Sequence, residues 1–202
     1  MARIKLTKTE LKAQNDALKR FQRFLPMLLL KKQQLQGEIA GIAAKAEETA
    51  ARERAVREGL GRWAGLLATA GEELDGLVTV KGVRTGTANI AGVTIPTFEA
   101  VDAEVREIDP WATPAWIDDA VEAAKEVLSL QCERATYEEQ RRLVAAELQQ
   151  TSQRVNLFEK VKIPDCREAI RVIKIALGDE QTAAVTRGKI AKGRGRREED
   201  AA

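Results

Sequence analysis

The 202-residue sequence contains no histidine, only two cysteines and 4% aromatic residues. The missing histidine removes the commonest general base and the commonest metal ligand, which excludes His-based catalytic triads and most zinc sites. Few aromatic residues beside 32% charged residues argue against a large globular core. Cys132 and Cys166 are too isolated in sequence to indicate a redox pair, so we expect both to be reduced packing residues.

The sequence also lacks a long hydrophobic run. Its longest apolar run, residues 24–30, is far shorter than the roughly 20 residues that span a bilayer. Residues 1–6 lack the apolar stretch of a secretory leader, so we expect a cytoplasmic protein without direct membrane insertion. The formal net charge of +2 indicates no particular partner.

What the sequence does contain is a heptad-like apolar stripe toward each end. The N-terminal stripe comprises Leu18, Phe21, Leu25, Leu28, Lys32, Leu35, Ile39, Ile42 and Ala46. The C-terminal stripe comprises Val144, Leu148, Thr151, Val155, Phe158, Cys166, Ile170, Ile173 and Leu177. Apolar residues at a spacing near 3.5 form a narrow seam that requires a partner helix. The stripes therefore predict a mainly α fold, a rod in which the N- and C-terminal helices form a long antiparallel coiled coil.

Between the stripes the periodicity changes to two. Val78 and Val80 alternate with polar residues, and so do Val93 and Ile95, which predicts a short central β-hairpin. We place its turn at residues 85–87 (Thr-Gly-Thr), a bulge at Gly82, and the end or an edge of the second strand at Pro96. A lone hairpin is marginal in water, so this one is expected to lie against the rod or a partner.

Prolines and caps set the predicted boundaries. Thr7 or Thr9 is expected to cap the first helix, and Pro26 to bend that helix without ending it. Thr113 and Pro114 suit the cap and first position of the second helix. The predicted regions are an N-terminal helix at 1–76, a hairpin and connection at 77–109, a C-terminal helix at 110–180 with a kink near Pro164, and a basic end at 181–202 that is disordered from Gly193.

Three local features each allow both a functional interpretation and a purely structural one. The basic run at residues 194–197 is followed at once by acidic residues and has no interleaved aromatics, so a solvated tail is favoured over nucleic-acid binding. The acidic residues at 72, 73 and 75 are interpreted as a solvated helix end rather than a metal site. Trp63, Trp111 and Trp116 suit interface anchors and core packing equally.

Three stretches resemble a known family in the correct order along almost the whole chain. They are Leu-Leu-Leu-Lys-Lys-Gln-Gln-Leu at 28–35, Asn-Ile-Ala-Gly-Val-Thr-Ile-Pro at 89–96, and Arg-Val-Asn-Leu-Phe-Glu at 154–159 followed by Ile163 and Pro164. On these residues the chain resembles the D subunits of V-type (vacuolar/archaeal-type) ATPases. It departs from the family's more basic opening helix at residues 21–30, and at Gly178 where relatives continue in charged helix formers.

The resemblance implies a central rotor shaft that transmits torque between a catalytic hexamer and a membrane ion-translocating ring, during ATP synthesis or ATP-driven proton or other ion transport. It implies one copy per complex, no catalytic residue, no cofactor and no metal. It also implies a peripheral location on the inner face of the cell membrane. Implied partners are the catalytic and non-catalytic hexamer subunits, a small F rotor subunit and a funnel-shaped subunit on the membrane ring, with no nucleic acid.

Within that framework, basic residues at both termini are expected to form a shaft tip that contacts the hexamer. The shaft tip comprises Arg3, Lys5, Lys8, Lys12, Arg187, Lys189 and Lys192. The hairpin residues expected to bind a partner are Val78, Val80, Ile90, Val93 and Ile95. Heptads alone equally permit a free-standing coiled-coil scaffold, and the hairpin is the feature that such a scaffold does not need.

Overall fold

The chain contains two long helical regions separated in sequence by a two-stranded antiparallel sheet. The computed structural model describes residues 5–61, 65, 76–106 and 116–199, the last five as backbone only. Its elements are helix α1 (Lys8–Gly61), strands β1 (Val78–Ile90) and β2 (Val93–Val105), helix α2 (Trp116–Leu157), a π-helical turn (Phe158–Lys162) and helix α3 (Ile163–Glu199). The predicted mainly α fold with a central hairpin is confirmed.

Helix α1 is capped by Thr7 and passes through Pro26 without interruption. The Thr7 hydroxyl accepts a hydrogen bond from the Glu10 backbone N–H at 3.2 Å, which satisfies one of the free donors of the first turn. Pro26 removes one backbone hydrogen bond, but the half-buried Leu25 and Leu28 beside it keep the seam in phase. One continuous helix, as predicted, therefore spans the proline.

A wider helical turn lies directly before Pro164, where the sequence predicts a kink. The Ile163 backbone N–H donates to the Phe158 carbonyl across the π-helical turn, five residues back instead of four. Since Pro164 has no N–H to offer the preceding turn, a local change of helical register is a common accommodation. Beyond it, α3 continues past Gly178.

The prediction of a disordered tail from Gly193 is wrong for residues 193–199, because α3 ends only at Glu199. Gly193 and Gly195 each cost a helix only about 1 kcal/mol relative to alanine, and the alanine, lysine and arginine residues around them favour helix. Extending an existing helix by one residue is also much easier than starting a new one.

The predicted position of the hairpin turn is wrong. Residues 85–87 lie inside β1 and pair with residues 96–98 of β2, so β2 continues past Pro96, which sits at the edge of a two-stranded sheet. The turn is instead at Ala91 and Gly92, whose φ angles are 50° and 86°. Positive φ at both central residues matches the right-handed twist of a two-residue hairpin. Asn89 supports the turn, because its Oδ1 accepts the Gly92 N–H at 3.0 Å.

Two irregularities shift the strand register. Val80 of β1 pairs with Ala103 of β2, and Gly82 pairs with Asp102. Lys81 is therefore the extra residue of a bulge in β1. The sequence-predicted bulge at Gly82 therefore lies within one residue of the observed one. A second shift on β2 leaves Glu99 without an opposite residue. Each extra residue exchanges the two faces of its strand, so alternation read from sequence fails beyond it.

The chain divides into two compact units, and each has its own packing. The central unit is Lys31–Gln150, and the terminal unit is Met1–Leu30 with Thr151–Ala202. In the central unit, ion pairs join Lys31 to Glu147 at 2.6 Å and Arg52 to Glu133 at 3.2 Å. From the first ion pair to the second, the residue number rises along α1 and falls along α2, so these two helix segments run antiparallel.

The hairpin end packs on that helix pair. Ile95 of β2 is buried together with Leu35 and Ile42 of α1 and Val144 of α2. A second cluster joins Leu77, at the hairpin base, to residues 117 and 121 near the start of α2. The hairpin is thus stabilised at both ends by helices of its own chain, as its marginal intrinsic stability requires.

In the terminal unit, Phe21 of α1 contacts Phe158 with ring centroids 5.0 Å apart and a 56° angle between the planes. The C-terminal helical segments bury one apolar stripe there. Its members are Val155, Ile163, Cys166, Ala169, Ile170 and Ile173. The stripe ends at Ile173, and every residue from 178 to 194 is exposed.

Some sequence-based expectations lie outside the described residues. These are the shaft-tip residue Arg3, the tryptophans Trp63 and Trp111, the acidic cluster Glu72, Glu73 and Asp75, and the predicted cap formed by Thr113 and Pro114.

Candidate functional site

The predicted seam residues line the inward faces of the helices. Twelve of the stripe residues are predicted to form the coiled-coil seam, and of these twelve, five are buried and seven are half-buried. The buried ones are Leu35, Ile42, Val155, Ile170 and Ile173, and the half-buried ones are Leu18, Phe21, Leu25, Leu28, Ile39, Phe158 and Leu177. None of the twelve is an exposed surface residue, which agrees with a packing role.

The seam becomes polar toward the C-terminal end of α1. Glu53 is only 8% exposed, and its Oε1 accepts hydrogen bonds from Gln131 Nε2 and Arg57 Nε, both at 3.0 Å. Arg134 approaches its other carboxylate oxygen at 3.8 Å. The Gln131 hydrogen bond, followed by the contacts with Arg57 and Arg134, holds the pKa of Glu53 below its ordinary value against the opposing effect of burial.

Sequence reasoning missed this network because it ended the N-terminal stripe at Ala46. Thr49 and Glu53 continue the same steps of three and four residues and are buried. The available signal was therefore the spacing, since a polar residue in a seam position is expected to face a polar partner on the other helix. A buried carboxylate that is held by two hydrogen bonds and by ion pairs with two arginines indicates a structural pairing element rather than a catalytic centre.

The two cysteines are both free thiols. Cys166 is buried in the terminal unit, whereas Cys132 is half-buried in the central unit. Burial, with a smaller contribution from Asp165, raises the pKa of the Cys166 thiol. A thiol held in its neutral form is a weak nucleophile, which fits the predicted packing role.

The described shaft-tip residues are all exposed at the surface of the terminal unit. Lys5, Lys8 and Lys12 lie around the start of α1. Arg187, Lys189 and Lys192 lie on α3, beyond the last buried seam residue Ile173. At 1.5 Å per residue, Arg187 is about 20 Å along the helix from Ile173.

The hairpin residues fall into two classes. Ile95 is 3% exposed, and Ile90 and Val93 pack beside it against the helices, while Val78 packs beside Leu77 at the hairpin base. Val80 is different, because it is 39% exposed. The nearby Val83, which the alternating pattern did not single out, is 41% exposed. These two valines are the outward apolar residues of the sheet.

A concentration of exposed apolar residues lies in the terminal unit around the Phe21–Phe158 contact. We call this set the apolar collar, and it consists of Phe24, Met27, Leu29, Leu30, Leu157 and Val161. The collar includes six of the twelve large hydrophobic residues that are exposed in the described chain. Such a concentration on a soluble surface commonly marks a site of interaction.

Neither a metal centre nor a membrane span is present in the described part of the chain. No group of three or more histidine, cysteine, aspartate or glutamate residues there is arranged to hold a metal ion. Among the same residues, no helix combines the length and apolar character needed to cross a bilayer.

Comparisons with known proteins give a consistent result. A family model for the D subunit of ATP synthase matches residues 10–193 of this chain. The V-type ATP synthase D subunit of Borreliella burgdorferi is 43% identical over 192 residues, covering 95% of each chain. The V-type ATP synthase D subunits of Chlamydia muridarum and Chlamydia trachomatis are each 32% identical, again covering 95% of both chains.

Proposed function

The chain belongs to the family of ATP synthase D subunits, and we propose that it is the central rotor stalk of a V-type ATP synthase/ATPase. In this role it transmits torque between the catalytic hexamer and the membrane ion-translocating ring. Its proposed partners are the two kinds of hexamer subunit, a small F rotor subunit and a funnel-shaped subunit on the membrane ring. Its proposed location is peripheral, on the cytoplasmic face of the cell membrane.

The exposed C-terminal part of α3 is the structural observation that carries this proposal. Residues 178–194 form a helix of about 25 Å in which every side chain is exposed. Isolated helices of this length are marginal in water, so a segment without packing in its own unit is suited to a partner's cavity. A segment enclosed by a hexamer meets that condition.

The exposed basic residues support the same role. Relative to Arg187, Lys189 and Lys192 are rotated by about 200° and 140° around α3, so the three side chains occupy two opposite sides of the helix. Long, mobile side chains of one charge sign make transient, weak surface contacts. Weak contacts distributed around a shaft permit rotation inside a ring, whereas one strong contact would hold a single orientation.

We propose a non-catalytic role within the complex. The buried carboxylate of Glu53 is engaged by Gln131, Arg57 and Arg134 in a structural network, and the buried thiol of Cys166 is held neutral. The proposed contribution to catalysis is mechanical: an asymmetric shaft makes the three catalytic sites differ at any instant. For the hairpin, the exposed Val80 and Val83 are the proposed partner contacts, since Ile95 is occupied by its own helices.

The first experiment is a mild pull-down of the tagged full chain from detergent-solubilised membranes of its own cells. Mass spectrometry would identify the captured proteins, and the eluate would be assayed for ATPase activity. Recovery of both large hexamer subunits with a small soluble partner and activity supports the rotor role. Recovery of the chain alone, or with unrelated proteins, would overturn it in favour of the free-standing coiled-coil scaffold.

A second experiment addresses the shaft tip. The triple variant Arg187→Gln, Lys189→Gln and Lys192→Gln should lower ATPase activity coupled to ion transport while the small F subunit is still captured. A matched control changes three exposed basic residues of the central unit, Lys45→Gln, Lys125→Gln and Arg141→Gln. Loss of the F subunit from the tip variant, or equal activity in both variants, would contradict the assignment.

A further inference from the structure

We propose that a polar block in the seam of the central unit fixes the register in which α1 and α2 pair. The block joins residues 49–57 of α1 to residues 131–137 of α2. Its members are Thr49, Arg52, Glu53 and Arg57 of α1 with Gln131, Glu133, Arg134 and Tyr137 of α2. This inference goes beyond the proposed function, because it concerns the pairing of two helices within the chain and holds whether or not the chain is a rotor.

The first part of the block is the buried carboxylate of Glu53. It occupies a seam position and is only 8% exposed. Its contacts from the partner helix are the Gln131 amide at 3.0 Å and the Arg134 guanidinium at 3.8 Å. A buried carboxylate that loses its partners strongly destabilises the folded state, so the alignment that supplies these partners is favoured over alignments that do not.

The second part of the block uses neighbouring residues of both helices. Glu133 of α2 accepts hydrogen bonds from the Arg52 guanidinium at 3.2 Å and from the Tyr137 hydroxyl at 3.1 Å. The same guanidinium also donates to the hydroxyl oxygen of the buried Thr49 at 3.2 Å. The two carboxylates, one on each helix, therefore specify the same alignment twice.

The apolar part of the seam specifies the alignment less strongly. Leu35 and Ile42 are both buried in the central core and stand seven residues apart. A slip of one heptad would therefore put one aliphatic side chain where the other had been, and such exchanges cost little in a core. Polar residues at seam positions are the usual means by which coiled coils select one register at some expense of stability.

A slip toward the C-terminal end of α2 would bring like charges together. Seven residues beyond Gln131 stands Glu138, which would then face Glu53 across the seam. Arg141 would take the place of Arg134, but the second part of the block would lose its arginine, because a glycine stands seven residues beyond that arginine in α1. This register is therefore disfavoured at both carboxylates.

A slip in the opposite direction would remove the donors of Glu53. Seven residues before Gln131 and Arg134 stand Ala124 and Val127, neither of which has a side-chain donor. The carboxylate would then be buried without a contact from α2. A single register also suits a helix pair that carries a twisting load, because helices that slip past one another do not transmit the twist.

The test measures the register by the distance between two spin labels on the full chain. Glu38 of α1 and Glu126 of α2, both exposed, are each replaced by a ketone-bearing unnatural residue that takes the label, so that the native cysteines stay in place. Lys31 pairs with Glu147 and residue 52 with residue 133, so Glu38 lies level with α2 residues between 133 and 147, whereas Glu126 lies beyond them. A slip of one heptad therefore lengthens or shortens the distance by about 10 Å.

The test variant is Glu53→Leu with Gln131→Leu, which removes the pair and leaves the exposed arginines in solvent. Apolar replacement of a buried ionic network is often neutral or stabilising, so the free energy of unfolding should not fall. The label distance should nevertheless divide into two populations, the new one about 10 Å longer or shorter. Glu58→Leu with Gln149→Leu, at exposed positions of the same two helices, is the control and should keep one distance.

Exchange of the two partners supplies a rescue. Glu53→Gln with Gln131→Glu places the amide on α1 and the carboxylate on α2, so the same alignment is favoured and one distance is expected. Glu53→Ala is measured in parallel, because this truncation suits a helix and the result then does not depend on the folding of the leucine pair. It should also give two distances.

The remaining outcomes decide against the polar block. A single distance in both the leucine and the alanine variants would overturn the inference and assign the register to the hairpin contacts of Ile95 and Gln140. Two distances in the exposed control as well would overturn it, because any apolar change would then be sufficient. Neither result bears on the rotor role, which is tested by the proteins captured from membranes.

Discussion

Gln140 of α2 donates a hydrogen bond of 2.6 Å from its Nε2 to the carbonyl oxygen of Pro96 in β2. Gln140 is only 6% exposed, and Ile95 beside Pro96 belongs to the central core. This bond therefore fixes the hairpin to the helix pair at a buried position. A rigid attachment of this kind lets the hairpin move with the helices if a partner binds it.

The first prediction concerns this attachment. Gln140→Met keeps the side-chain length but removes the amide donor, so the buried Pro96 carbonyl loses its partner. The free energy of unfolding should fall by about 1–3 kcal/mol in urea denaturation. Hydrogen exchange at residues 94–98 should also accelerate. Gln149→Met, at an exposed position of the same helix, is the control, and an equal effect of both changes would refute the buried-bond explanation.

The second prediction concerns an unpaired hydroxyl. Thr151 is fully buried, and its Oγ1 has no hydrogen-bond partner. Thr151→Val replaces the hydroxyl by a methyl group of similar shape and should raise the free energy of unfolding by about 1 kcal/mol, measured by thermal or urea denaturation. Thr136→Val is the matched control, because the Thr136 hydroxyl donates to the Cys132 carbonyl at 2.9 Å. The control should show no gain, and a gain of equal size there would contradict the argument.

The third prediction concerns the hairpin turn. Ala91 has a φ of 50°, a conformation that costs an alanine about 1–2 kcal/mol relative to the ordinary helical region. Ala91→Asn introduces the non-glycine residue most tolerant of positive φ before Gly92 and should raise the melting temperature. Ala91→Val introduces a branched side chain and should lower it. Equal melting temperatures for the two variants would contradict the assignment of the turn to Ala91 and Gly92.

The fourth prediction is a pH dependence at the only tyrosine of the chain. The Tyr137 hydroxyl donates to Glu133 Oε1 at 3.1 Å. Burial first, and then Glu133 through its hydrogen bond and charge, raises the pKa of Tyr137 above its ordinary value near 10. A raised pKa stabilises the folded state fully below the unfolded value, and that contribution is lost as the pH rises through the folded value.

Absorbance at 295 nm monitors this tyrosine without interference from another. The titration midpoint of the folded chain should lie above that of the chain in denaturant. Glu133→Gln should lower the midpoint, because it removes the negative charge beside the phenol. A midpoint equal to that of the unfolded chain would refute the proposed contact.

Much of the helical framework was predictable because local spacing controls it. A stripe with a period near 3.5 must face a partner, and Leu35, Ile42, Val155, Ile170 and Ile173 are buried accordingly. The continuity of α1 through Pro26 followed from the unbroken phase of the same stripe. The exposure of the described shaft-tip residues was predictable from sequence, because the clustering of basic residues near the two termini was sufficient to indicate it.

The sequence by itself determined the two long helices, their seam and the presence of a hairpin between them, because helical and strand periods are properties of a local segment. Only the tertiary structure decided the turn at Ala91 and Gly92, the pairing of Gln140 with Pro96, and the partners of Glu53, whose seam position alone follows from the spacing. Each of these depends on strand register or on groups distant in sequence. A bulge of one residue changes the register without changing the local pattern, and a hydrogen bond between distant residues leaves no periodic signal.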